Sequence, residues 1–156
     1  MIPRVGQGFD IHPFSADPDR RLVLAGVIFP GPGLEGHSDA DVVAHAVIDA
    51  LLGAAGLGDI GSHFPDDDSA YANVDSMQLL ARVVPEVTAG HRIGNVDVTV
   101  ILEAPKLAGS REEMQRRLEQ VVSAPVSVKA KRAESLGALG RREGIACLAV
   151  ALVVPL

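Results

Sequence analysis

His37-Ser-Asp-Ala-Asp-Val-Val-Ala-His45 leads into a run that is almost wholly apolar: Val42, Val43, Ala44, Ala46, Val47, Ile48, Ala50, Leu51 and Leu52. Such a run predicts a buried helix reaching to about Leu57. Asp41, His45 and Asp49 recur every four residues, which lines them up on one helical face. One polar stripe thus crosses a greasy helix. Ser38 or Asp39 is the expected N-cap, which leaves His37 beside free backbone N–H groups and the positive end of the helix dipole, where a phosphate can rest. A plainer reading makes Asp41 a first-turn acid, His45 a hydrogen-bonded core histidine and Asp49 solvated. The three residues in register favour a site.

Upstream, Pro3 to Ile11 reads as a strand, thinned at Gly6 and Gly8 where a ligand or another backbone approaches. Gly-Gln-Gly lacks the third glycine and the helix of a dinucleotide fingerprint. Asp10-Ile-His12 matters more, because residues two apart on a strand share a face and can reach one ion together. Leu22 to Ala25 and Val27 to Phe29 read as short strands around Gly26. Downstream, Asp59 to Tyr71 is a polar, proline-containing segment expected to form a mobile loop beside the site. Asp75 caps a second helix that Pro85 kinks or ends. Asn95 to Leu102 alternates like a half-buried strand, and a capping-box pattern, Ser110-Arg-Glu-Glu113, starts a third helix to about Val122. Pro125 to Arg132 and Ile145 to Val154 complete the strands. This order predicts an α+β fold, a mixed sheet with helices mainly on one face.

The 156 residues match one compact domain, 1–156. Fourteen basic residues face twenty acidic ones, a net charge of −6, and there are four Phe, one Tyr and no Trp. Such a field repels a nucleic-acid backbone, and so few aromatics give bases nothing to stack on. Cys147 stands alone in an apolar run, which excludes an internal disulfide and suits the cytoplasm. Met1-Ile-Pro-Arg-Val-Gly6 does not read as a secretory signal, and Ile145 to Leu156 is too short to cross a bilayer. With 47% apolar and 22% charged residues, part of the surface is expected to be covered by identical neighbours.

Asp10, His12 and His45 offer two imidazoles and a carboxylate, a set that suits Zn²⁺ and leaves a fourth position for water or substrate. Asp49 either holds the second ring nitrogen of His45 or lies on the surface. Glu134 stands among Lys129, Lys131, Arg132, Arg141 and Arg142. That cluster reads as a solvated strand end, or as one carboxylate holding a hard divalent ion against a diphosphate.

Gly6-Gln-Gly-Phe-Asp-Ile-His12, Gly36-His-Ser-Asp-Ala-Asp-Val-Val-Ala-His45, the run from Ala50 to Gly61, Gly94-Asn-Val-Asp-Val-Thr99 and Gly140-Arg-Arg-Glu-Gly-Ile-Ala146 together resemble the 2-C-methyl-D-erythritol 2,4-cyclodiphosphate synthases from end to end. The resemblance implies a ferredoxin-like fold, a homotrimer with sites at subunit interfaces, and an enzyme of non-mevalonate isoprenoid synthesis. It implies conversion of 4-diphosphocytidyl-2-C-methyl-D-erythritol 2-phosphate to the cyclic diphosphate and CMP. Residue by residue, it assigns Asp10, His12 and His45 to zinc, Glu134 to Mg²⁺ or Mn²⁺, and His37 and Ser38 to the phosphate-bearing sugar, with His37 stabilising the transferring group. It assigns Asp59, Ile60 and Gly61 with Phe64 to Asp68, including Asp66, to the erythritol. Leu102 to Ala108, chiefly Ala104, Pro105 and Lys106, would form the cytidine pocket, completed by Ala130 to Glu134 of an adjoining subunit. Arg141 would bind phosphate.

The chain departs from the family pattern in two places. Lys131-Arg132-Ala133 replaces a run of threonines, one of which steadies the transition state, so that Arg132 takes a catalytic position. Ala138 replaces a phenylalanine. Two other readings keep parts of this picture: a zinc-dependent phosphoesterase that activates water, and a catalytically impaired oligomer that binds nucleotide diphosphates.

Overall fold

A computed structural model describes residues 1–156. Strands β1 (Arg4–Pro13), β4 (His91–Ile101), β5 (Val126–Lys131) and β6 (Gly144–Pro155) form a four-stranded sheet in the order β1-β6-β4-β5. β6 runs antiparallel to β1 and β4, while β4 and β5 are parallel and need the crossover that helix α4 (Arg111–Val122) supplies. β2 (Leu22–Leu24) and β3 (Val27–Phe29) pair as a separate hairpin. Helices α1 (Val42–Ala55) and α3 (Ser76–Thr88) pack with α4 on one side, α1 lying on β1 and β6. The mixed α+β arrangement agrees with the strand and helix order read from the sequence.

The close seat of α1 has a simple cause. Ala46, Ala50 and Ala54 recur every fourth residue, and they meet Gly6 and Gly8. A Cβ built on Gly8 would stand 1.8 Å from the Ala46 carbonyl oxygen, and one on Gly6 would stand 2.0 Å from that of Ala50. Those glycines therefore admit the helix backbone, not a ligand, and the closeness brings His45 over the end of β1. Inward from β6, Ile145, Cys147, Ala149, Ala151 and Val153 are buried, as period-two alternation requires. Burial pushes the Cys147 thiol up, so it stays protonated.

The α1 cap differs from expectation. Neither Ser38 nor Asp39 caps α1; Asp41 does, its carboxylate accepting from the N–H groups of Val43 and Ala44. Ala40 adopts a positive φ of 56°, which turns the chain so that only Asp41 faces the helix end. The free N–H groups expected to attract an anion near His37 are thus filled from within.

Three other expectations change. The segment from Asp59 carries a short helix α2 (Ile60–His63) capped by Asp59 and a 3₁₀ turn (Ser69–Tyr71) capped by Asp68, so these two carboxylates satisfy backbone donors and shape the loop. α3 continues through Pro85 to Thr88, with Asp75 capping it as predicted. Ser110 precedes α4 but makes no side-chain cap bond; its backbone (φ −117°, ψ 0°) lies in the helical region and not in the extended one typical of a cap, and Glu113 pairs instead with Arg116 and Arg117.

Candidate active site

Asp10 and His12 lie two residues apart near the end of β1, and the α1 helix delivers His45 to them. Asp10 Oδ2 stands 2.9 Å from His12 Nε2 and 3.0 Å from His45 Nδ1, and the two nitrogens are 3.3 Å apart. Three ligands at ordinary zinc bond lengths would be separated by roughly 3.3 Å at the corners of a tetrahedron. The triangle therefore has the dimensions of a divalent-metal site, and its ligand atoms lie close enough together to share one ion.

Proton bookkeeping supports that fit. His12 Nδ1 lies 2.8 Å from the Glu35 carbonyl oxygen, which can only accept, so Nδ1 carries a hydrogen and Nε2 is the nitrogen left for an ion. Burial alone would lower the His12 imidazole, but the Asp10 carboxylate overrides it and holds the ring above its ordinary value. Burial alone would raise Asp10; the two histidines outweigh it and hold the carboxyl well below the carboxylate range.

Asp41 and Asp49, the other members of the four-residue stripe, do different work. Asp41 is fully buried and also takes the N–H groups of Ala25 (2.9 Å) and Gly26 (2.7 Å), locking the β2–β3 hairpin to the start of α1. Burial pushes its carboxyl up to about 6. Asp49 accepts the Ile60 N–H at 2.7 Å and does not hold His45; it fixes α2 to α1.

An open cleft of about 490 Å³ lies in front of the triad. Its walls include His37, Ser38, Ile60, Gly61, Phe64 and Asp66. His37 Nε2 donates to the Asp68 carbonyl at 2.8 Å. Ser38 is 6% exposed, and its hydroxyl lies among His45 Nε2, Ser76 Oγ and the Ala40 N–H, so it works inside the wall. Asp59 and Asp68 do not line the cleft; their carboxylates are spent as caps.

A second cleft of about 400 Å³ is lined by Pro105, Lys106, Lys131, Arg132 and Arg142. Ala104 lines a smaller neighbouring cavity of about 230 Å³. The two runs assigned to different subunits, Leu102 to Ala108 and Ala130 to Arg132, line this cleft within one chain. The reason is the pairing of β4 with β5: Ile101 faces Lys131 and the Leu102 N–H donates to the Lys131 carbonyl at 2.9 Å, so both runs leave the sheet side by side. Arg132 is held by Glu103 at 3.0 Å, and this guanidinium keeps the Glu103 carboxyl below its ordinary value. Glu134 and Arg141 line neither cleft; Arg141 pairs with Glu143 at 3.0 Å. Within one chain, Arg132 and Glu134 are thus not brought to the triad.

Several residues that organise the site gave no signal in the sequence. Arg20 donates to the carbonyls of Leu34, Gly36 and Ser38, bracing the segment that carries His37. Ser76, at the start of α3, reaches His45. Such partners lie far apart in sequence and could be found only from the fold.

The profile of the YgbB family matches residues 3–154. The chain is 49% identical over 155 residues to a protein of Listeria monocytogenes serotype 4a (strain HCC23) named 2-C-methyl-D-erythritol 2,4-cyclodiphosphate synthase, covering 96% of this chain and 98% of that one. It is 52% identical over 154 residues to the bifunctional enzyme IspD/IspF of Anaeromyxobacter sp. (strain Fw109-5), covering 96% of this chain but only 39% of that protein. The chain thus spans about two fifths of its bifunctional relatives. Among solved structures, a CDP complex of IspF from Plasmodium falciparum superimposes with a TM-score of 0.85 at 34% identity, covering 98% of this chain and 96% of that one.

Proposed function

Because the chain belongs to the YgbB family, we propose that it is a 2-C-methyl-D-erythritol 2,4-cyclodiphosphate synthase, a lyase of isoprenoid precursor synthesis. Its substrate is 4-diphosphocytidyl-2-C-methyl-D-erythritol 2-phosphate, and it works in the cytoplasm as a unit spanning residues 1–156. The observation that carries this reading is the convergence of Asp10 Oδ2, His12 Nε2 and His45 Nδ1 on the wall of an open cleft of about 490 Å³.

In the reaction an oxygen of the 2-phosphate attacks the β-phosphorus of the same molecule. The new P–O bond closes the ring, and the bond to CMP breaks with its electron pair leaving on the CMP phosphate. The chain's main task is to fold a flexible substrate so that attacking and leaving oxygens lie in line. His37, with Ser38 behind it, positions the phosphate; Ile60, Gly61, Phe64 and Asp66 enclose the erythritol and exclude water, while Asp59 and Asp68 hold that wall in shape. Lys106, Lys131 and Arg132, with Ala104 and Pro105, receive the cytidine diphosphate, and Arg141 adds charge near the phosphates. Zn²⁺ held by Asp10, His12 and His45, with Mg²⁺ or Mn²⁺ at Glu134, would supply positive charge to the phosphoryl oxygens.

The homotrimer is part of this proposal. Val5 (65% exposed), Phe9 (53%), Ile11 (48%) and Val150 (41%) form an uncovered apolar patch on the sheet face away from α1. The triad cleft and the cationic cleft share no lining residue. Packing identical chains on that patch would cover it and can set one subunit's cationic cleft opposite its neighbour's triad.

The test is incubation of purified protein with that substrate and Mg²⁺, followed by phosphorus NMR. Equal amounts of CMP and cyclic diphosphate, abolished by chelation, are expected. Linear phosphates would replace this reading with a phosphoesterase, and tight CDP binding without turnover would replace it with a nucleotide-diphosphate-binding oligomer.

A further inference from the structure

His45 is held on both sides of its ring. Nδ1 faces Asp10 and His12, while Nε2 lies 2.9 Å from Ser76 Oγ and 3.1 Å from Ser38 Oγ. Ser76 is completely buried. Its hydroxyl donates to Asp39 Oδ1, and its backbone N–H donates to Asp39 Oδ2 at 3.2 Å. The same Asp39 accepts the Asp41 N–H at 3.1 Å, and its own N–H donates to the Val74 carbonyl at 3.0 Å. One carboxylate thereby ties the cap of α1 to the first residue of α3.

The hydrogens along this chain are fixed by counting. A carboxylate only accepts, and the Ser76 hydroxyl has one hydrogen, which goes to Asp39. The oxygen must then accept from His45, so Nε2 carries a ring hydrogen and Nδ1 is the nitrogen available to an ion beside Asp10 and His12. Ser38 is consistent with this: it accepts the Ala40 N–H at 3.1 Å and has its own hydrogen free for Ser76, 3.2 Å away.

We propose that Asp39 and Ser76 are positioning residues of the metal centre, forming a carboxylate–hydroxyl–imidazole relay that selects the tautomer of His45 and aims its Nδ1 at the ion. The proposal rests on reading Asp10, His12 and His45 as metal ligands. It makes α3 part of the centre although no residue of α3 is a ligand. Outer partners that orient a ligating histidine commonly change metal affinity by about 10–100-fold.

The experiment measures zinc affinity by competition with a chromophoric chelator, and the visible spectrum of the cobalt form, in the full chain and in Ser76→Ala, Asp39→Asn and His12→Ala. Ser76→Ala is expected to bind zinc about 10–100-fold more weakly, with a changed cobalt spectrum and a retained cooperative melt. Asp39→Asn is expected to move both in the same direction, which serves if Ser76→Ala fails to fold. Zinc affinity and cobalt spectrum unchanged in the folded Ser76 or Asp39 variant, beside a His12→Ala protein that has lost the metal, would overturn the relay alone. Zinc affinity unchanged in His12→Ala as well would overturn the ligand reading beneath it.

Discussion

The triad cleft and the cationic cleft are built on opposite principles. Behind the triad, His45 is fixed by partners that are themselves buried, Ser38 at 6% and Ser76 at 0% exposure. Around Lys106, Lys131 and Arg132, the charged groups stand in solvent; the Arg132 side chain is 63% exposed although its partner Glu103 is 3% exposed. The first cleft is preorganised before any ligand arrives. The second offers charge without fixed geometry, so a ligand or a neighbouring chain must supply the order.

Substitutions should separate the two clefts sharply. His45→Ala removes one corner of the triangle and should abolish metal binding and CMP release while the chain stays folded, as checked by calorimetric zinc titration and circular dichroism. Asp41→Ala would strip four backbone N–H groups of their acceptor. Lost capping and unsatisfied donors together should cost about 2–4 kcal/mol in urea unfolding. Gly8→Ala would press a methyl group into the Ala46 carbonyl and should cost about 1–3 kcal/mol while weakening zinc binding, because α1 carries His45 away from β1. Arg132→Ala removes a largely exposed guanidinium from a Glu103 carboxylate that keeps the Ala133 N–H, so it should cost less than Asp41→Ala, about 1 kcal/mol, yet weaken CDP binding in a salt-dependent way. Equal stability losses at Asp41 and Arg132 would break the contrast.

The pH dependence sharpens it further. Asp10 remains ionised well below its ordinary value of 3.8, while His12 is held protonated above its ordinary 6.5. In metal-free protein, the Asp10 contribution to stability is present above pH 3.8 and lost as pH falls through its depressed folded value. The His12 contribution is complete below pH 6.5 and lost as pH rises through its raised folded value. Urea midpoints of the chelated protein should therefore be highest between these limits. Zinc must displace the His12 proton, so its affinity should rise about tenfold per pH unit below the raised value of His12. The His45→Ala protein should show no such dependence.

How much of this was readable beforehand follows the range of each interaction. Asp10 and His12 were legible because strand periodicity alone puts them on one face, and His45 because it interrupts an apolar helix. Asp41 is the cap and not a first-turn acid: spacing along a helix does not reveal that the helix starts two to three residues later than a Ser38 or Asp39 cap implies, at Val42. Spacing leaves Asp49 either beside His45 or on the surface, yet its partner is the N–H of Ile60 at the start of α2. Ser76 and Arg20 were invisible because they act only where α3 and the β1–β2 loop return to the site. Strand order placed helices on a mixed sheet, but only the parallel pairing of β4 with β5 revealed that Leu102 to Ala108 and Ala130 to Arg132 share a cleft.

The central claim is that three side chains from β1 and α1 hold one divalent ion. Calorimetric titration of the chelated full chain with zinc tests it most directly. One zinc per chain, lost when His45 is replaced by alanine, is the predicted result; a stoichiometry and affinity unaltered by that replacement would contradict it.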